Sequence, residues 1–178
     1  MKIVIGESVS AVIQKKRLPS KRTDPGMFTL PIVIEVVNIE HVICDLGASI
    51  NVLPFSVYKR LTGVRLVDTK VVIQLADRLC INPEGVLENV ILRVHNFFYP
   101  ADFHVIRMNE SEVGEWSQVL LGRPFLRTAK TIIDVSDGII FLDYHGEKIM
   151  FNIDETMKKP LGIENLHSLD VITPLVHE

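Results

Sequence analysis

From Phe28 onward the chain is written in short β-branched and apolar runs, each closed by a polar or glycine-containing connection. The runs are Phe28–Val37, His41–Cys44, Val71–Leu75, Val86–Val94, Phe103–Ile106, Val119–Leu121, Thr131–Val135, Ile139–Tyr144 and Lys148–Ile153. Many short strands at this spacing exclude a helical bundle and predict an all-β fold. Asn38-Ile39-Glu40, Ser136-Asp137-Gly138 and His145-Gly146-Glu147 carry the residue types of hairpin turns. Two helical interruptions are expected, Pro54 to Leu61 and Pro124 to Lys130, because each opens on a proline that a first helical turn tolerates. The first also stops near Gly63.

A chain of 178 residues that is 47% hydrophobic has room for one ordinary core. Its charge is uneven: residues 1–25 hold six Lys/Arg against two Asp/Glu, and the remainder holds 13 against 20. A basic leader therefore precedes an acidic body, and the stretch Lys15 to Arg22 reads as a solvated linker. An acidic body argues against holding nucleic acid by its phosphates. No apolar run reaches membrane-spanning length, since Leu30 to Val37 is broken by Pro31 and Glu35. The N-terminal apolar stretch is too short for a secretory signal, and two cysteines, Cys44 and Cys80, make no disulfide framework. A cytoplasmic, reducing location is the expectation.

Phosphate-loop, dinucleotide, His-Glu-x-x-His and Gly-x-Ser-x-Gly motifs are all missing, and the six histidines are scattered without ligand spacing. Neither a metal nor any other cofactor is expected. What remains is Asp45, at the end of an apolar strand and followed by Leu46, Gly47, Ala48 and Ser49. Small residues there let the backbone turn sharply and a substrate approach closely. Taken alone, the segment equally fits an aspartate that opens a turn or caps the next helix. Asp134-Val135-Ser136-Asp137-Gly138 is the rival motif, but it lacks a small residue after the glycine and falls at an expected hairpin.

In chain order come a strand, Asp45-Leu46-Gly47-Ala48, a Pro-initiated helix, a hairpin with the polar tip Ala76-Asp77-Arg78, further strands, Leu121-Gly122-Arg123 and a short helix. This arrangement closely resembles the retropepsins, the aspartic protease domains of retroviruses and long-terminal-repeat retrotransposons. The similarity is greatest to gypsy-type elements of plants. It rests on Leu18-Pro19-Ser20-Lys21, Asp24 to Pro31, Cys44 to Asn51, Gln74-Leu75-Ala76-Asp77 and Leu121 to Leu126, and it covers about residues 18–155.

The resemblance implies a closed acid-protease barrel with a flap hairpin, built from Val71–Leu75 and Leu79–Val86, and one or two short helices. Residues 24–155 would be the protease domain, residues 1–23 the basic linker from the Gag side, and residues 156–178 a linker toward reverse transcriptase. Asp45 would be catalytic. Gly47, Ala48, Ala76, Asp77 and Arg78 would contact substrate, while Leu46, Ser49, Gly122 and Arg123 would support the catalytic loop. Peptide hydrolysis by carboxylates alone needs two aspartates sharing a proton, and the chain carries one Asp-x-Gly-Ala, so the active unit implied is a homodimer acting on polyprotein, inside the cell or within virus-like particles.

Three residues depart from the family pattern. Leu46 stands where Thr or Ser usually hydrogen-bonds across the dimer, Ser49 stands where retroviral members hold an acidic partner for Arg123, and the flap tip has no glycine. A non-cutting domain of the same fold, serving dimerisation or peptide binding, is the alternative. A third reading is an unrelated β-barrel binding module in which Asp45 caps a helix; Asp45 and Arg123 on opposite sides, or the absence of a flap, would favour it. Cys44 reads as a small buried apolar residue whose oxidation would disturb the loop.

Overall fold

In the computed structural model the described residues are 18–74, 78, 80–107 and 118–153. The expected leader therefore falls largely outside them, and the expected C-terminal linker falls wholly outside. The first hairpin joins β1 (Thr29–Ile34) to β2 (Val37–Cys44), and its core side is set by alternation: Leu30, Ile32 and Ile34 point inward and are buried. A long second hairpin pairs β6 (Gly85–Val94) with β7 (Phe97–Ile106), burying Leu87, Val90, Leu92 and Val94 against Tyr99, Ala101, Phe103 and Val105. β1 bonds to β6 through Val33↔Arg93 and Ile34↔Leu92.

Two very short strands complete the circle. β3 (Val52–Pro54) lies parallel to β7, and β8 (Leu120–Leu121) lies parallel to β2 and antiparallel to β3. The result is a closed six-stranded barrel in the order β1-β2-β8-β3-β7-β6. Outside it stand the two-stranded ribbon of β4 (Ile73–Gln74) and β5 (Cys80–Ile81) and a three-stranded sheet of β9 (Ile132–Asp134), β10 (Ile139–Tyr144) and β11 (Glu147–Asn152). The three-stranded sheet shares the barrel's core. Ile140 and Leu142 are buried with it, Tyr99 donates its hydroxyl to the Asp143 carbonyl at 3.1 Å, and the Tyr99 ring meets Tyr144 and Phe125 edge-on.

The helices are shorter than expected. α1 (Phe55–Tyr58) follows Pro54 for four residues, and α2 (Arg123–Thr128) starts one residue ahead of Pro124. α2 ends when Lys130 turns left-handed (φ 44°), with Lys130 N donating to the Arg127 carbonyl and Thr131 N to the Leu126 carbonyl.

Several expected boundaries need correction. Phe28 to Val37 is not one strand: the chain reverses at Glu35-Val36, where Glu35 takes a positive φ of 53° and Val36 is 82% exposed, so Asn38-Ile39-Glu40 lies inside β2 and is no turn. Glu35 also has its carboxylate held by the Thr62 backbone N–H and hydroxyl, which stabilises a turn with no glycine or asparagine to announce it. β7 begins at Phe97, six residues before the expected start. The missed half follows a two-residue turn at His95-Asn96 and contains Pro100, whose residue type argues against a central strand. β3 is absent from the expected runs because three residues beside a proline carry no period.

Burial raises the Cys44 thiol from its ordinary 9.0 to about 12, and burial followed by the neighbouring Asp143 and Tyr144 raises Tyr99 from 10.0 to about 12. Both groups stay protonated in the fold while an unfolded chain would release those protons from about pH 9 upward. The unfolded state then binds fewer protons, so stability is fully present below pH 9 and falls toward pH 12, by at most about 1.4 kcal/mol per group per pH unit. Urea midpoints are expected to be flat between about pH 7 and 8.5 and to decline above, with Cys44→Ala flattening the first part of the decline.

Candidate active site

β2 delivers the chain to Asp45 under tight backbone control. Ile43 N donates to the Val119 carbonyl at 3.0 Å, Cys44 N to Phe28 at 2.8 Å, and Asp45 N to Leu121 at 2.9 Å. The turn then closes on itself: Ala48 N donates to the Asp45 carbonyl at 3.3 Å, and Gly47 N donates to Asp45 Oδ1 at 2.7 Å. Asp45 is left half-buried, with one carboxylate oxygen oriented by a backbone donor. A Cβ on residue 47 would come 3.1 Å from that same oxygen, which is why glycine suits the position.

Behind the turn lies the segment that enters α2. Arg123 N donates to the Ala48 carbonyl at 3.0 Å, and Gly122 passes so close to the loop that a Cβ there would stand 2.2 Å from the Ile50 carbonyl oxygen. Only glycine permits that approach. Asn51 locks the crossing. At 2% exposure, it accepts from Gly122 N through Oδ1 at 2.8 Å, donates from Nδ2 to the Asp102 carbonyl at 3.0 Å, and receives His104 N on its own carbonyl at 3.0 Å. Sequence reasoning gave Asn51 no role. The available signal was a lone amide between Ile50 and Val52 at the mouth of an apolar strand, a residue type that is buried only when its hydrogen bonds are met.

The expected site residues divide into two groups. Asp45, Gly47, Ala48, Gly122 and the backbone of Arg123 are brought together by the bonds just described. Leu46 is 62% exposed, and Ser49 and the Arg123 side chain are also exposed, so these three side chains do not brace the loop from within the protomer. Among the described residues Arg123 makes no ion pair. The flap ribbon is present, with Ile73↔Ile81 and Gln74↔Cys80 in register. It is shorter than expected because residues 85 and 86 belong to barrel strand β6, with Val86 bridging to Val67. Arg78 is exposed with a positive φ of 69°, while Ala76 and Asp77 lie outside the described residues.

Two rival assignments are settled by geometry. Asp134 Oδ1 accepts from Ser136 N and Asp137 N and so shapes the β9–β10 turn. Asp45 does not cap α1, whose N-cap is Pro54, and Arg123 lies against the Asp45 loop rather than across the barrel from it. With the β4–β5 pairing also present, neither feature that would favour an unrelated module is found among the described residues. Cys44 is buried with its thiol kept protonated, which removes the reactive thiolate that facile oxidation needs. Among the described residues no three His, Cys, Asp or Glu side chains gather where they could hold a metal.

No protein-family model matches the chain, and no curated protein sequence does either. Among solved structures, the retroviral protease-like domain of Ddi1 from Leishmania major is similar with a TM-score of 0.52 and 19% identity, over 66% of this chain and 88% of that one. The fold is retropepsin-like. A retropepsin-like aspartic protease from Rickettsia conorii also matches, with a TM-score of 0.40 and 22% identity over 64% of this chain and 80% of that one. In this retropepsin-like fold the Asp45 turn and the Gly122 segment form one backbone unit, and the flap ribbon is a separate two-stranded element.

The crossing generates a sharp expectation. Gly122→Ala forces a methyl group into a backbone oxygen and should cost more than about 3 kcal/mol in urea unfolding. Asn51→Ala leaves Gly122 N and the Asp102 carbonyl without their partners and should cost about 2–4 kcal/mol in the same measurement.

Proposed function

We propose that this chain is an aspartic endopeptidase whose active unit is a homodimer, each copy contributing Asp45. The observation that carries the reading is the presentation of that residue: a half-buried carboxylate at the tip of a turn whose backbone is fixed on three sides, with Gly47 N–H orienting one oxygen. The similarity in fold to a retroviral protease-like domain supports it.

Two Asp45 carboxylates facing across a two-fold axis would share one proton, because like charges so close cannot both ionise. The ionised partner takes a proton from water as the oxygen attacks the scissile carbonyl. The protonated partner donates to the carbonyl oxygen, and the resulting tetrahedral species collapses as the leaving amine receives a proton. Extended, apolar peptide fits such a cleft, held by main-chain hydrogen bonds with alternate side chains in pockets, and the ribbon of β4 and β5 would close over it. The substrate we assign is the polyprotein of a plant gypsy-type element, on the support of the linker and loop motifs in residues 18–31 and 44–51.

The test is cleavage of a linker-containing fragment of such a polyprotein between about pH 4 and 7, wild type beside Asp45→Asn. Cleavage best below neutral pH by wild type, background with the variant, and arrest by a statine-type mimic are expected. If neither protein cuts while wild type is dimeric at the assay concentration, the domain is a non-cutting dimerisation module and the catalytic reading is wrong.

A further inference from the structure

The turn that presents Asp45 also presents Leu46, a large apolar side chain 62% exposed and immediately beside the carboxylate. It is not exposed through looseness. The residues on either side are bonded to β8, to α2 and to each other, so Leu46 cannot fold back onto its own barrel without breaking those bonds. Cys44, which precedes the turn, and Leu53 and Leu121 on β3 and β8 are buried in the barrel core, and Leu46 is not among the residues packed with them.

The proposed dimer fixes what must cover this side chain. Two carboxylates sharing a proton sit roughly 3 Å apart, and consecutive Cα atoms are separated by about 3.8 Å, so any two-fold axis that joins the Asp45 pair passes beside both copies of residue 46. We infer that Leu46 is the positioning residue of the dimer: its side chain packs against the partner's copy beside the carboxylates, holding them in register by apolar burial. This inference rests on the homodimeric reading and names the contact that makes it. A leucine contact has no donor to lose on titration, and its driving force weakens on cooling. Association through this contact is therefore set by temperature and by the size and apolarity of residue 46, not by its hydrogen-bonding capacity.

The test is sedimentation velocity on the full chain, from 5 to 30 °C, for wild type, Leu46→Met, Leu46→Asn and Leu46→Lys, with peptide cleavage measured alongside. Because residue 46 is exposed in the protomer, circular dichroism should be unchanged throughout, and thermal midpoints should agree at concentrations where every protein is monomeric. Leu46→Met should dimerise within a few-fold of wild type. Leu46→Asn, similar in size but polar, should raise the dissociation constant roughly ten- to hundredfold, and Leu46→Lys should leave monomer. Wild-type dimers should loosen toward 5 °C, and cleavage should follow the dimer fraction. If the Asn and Lys variants dimerise and cut like wild type, the Leu46 contact is refuted while the protease reading stands. If wild type is monomeric at every temperature and does not cut, the homodimeric reading falls and takes this inference with it.

Discussion

The candidate site depends on the contact between two pieces of backbone, the carbonyl of Ile50 and the α-carbon of Gly122, at a separation that leaves no room for a side chain. Such an approach buries amide groups, and buried amides need partners. Asn51 supplies them, satisfying Gly122 N and the Asp102 carbonyl with one side chain while its own backbone carbonyl accepts from His104. This crossing secures the far side of the Asp45 turn, as the bonds of β2 to Phe28, Val119 and Leu121 secure its near side. The loop is held from below, so its tip can carry a carboxylate and an exposed leucine without collapsing onto the barrel.

Where alternation was clean, the sequence announced the fold. β10 and β11, with their glycine-bearing turn at His145-Gly146, lie close to where period and turn chemistry put them, and so does most of β6. The failures have common causes. Glu35-Val36 and His95-Asn96 reverse the chain without glycine, since tertiary bonds and flanking strand pairing hold Glu35 and His95 at positive φ. β3 is too short for any period to show, and only the barrel's closure makes it a strand, whereas β8 lies inside the expected run Val119–Leu121.

For the site, legibility split along backbone and side chain. Asp45 with its small followers could be read because steric demand shapes residue type: a Cβ at Gly122 would collide with backbone, and one at Gly47 would crowd the Asp45 carboxylate. For Asn51 the lone amide among apolar neighbours signals burial at most, because its two partners lie 51 and 71 positions away along the chain and no local pattern encodes them. Leu46 and Arg123 were expected to brace the loop and instead face solvent in the protomer. Family position alone does not tell whether a side chain supports its own chain.

The barrel is closed at its seam by its two shortest strands, three residues of β3 and two of β8, and these are the same strands that flank the Asp45 turn and the Gly122 segment. Few hydrogen bonds hold a seam of that length, so it is the natural place for a sub-global opening of the barrel to begin. An opening there would separate Asp45 from Leu121 while leaving the long β6–β7 hairpin intact. The position of the carboxylate is thus coupled, through Asp45 N and the Leu121 carbonyl, to whether the barrel is shut.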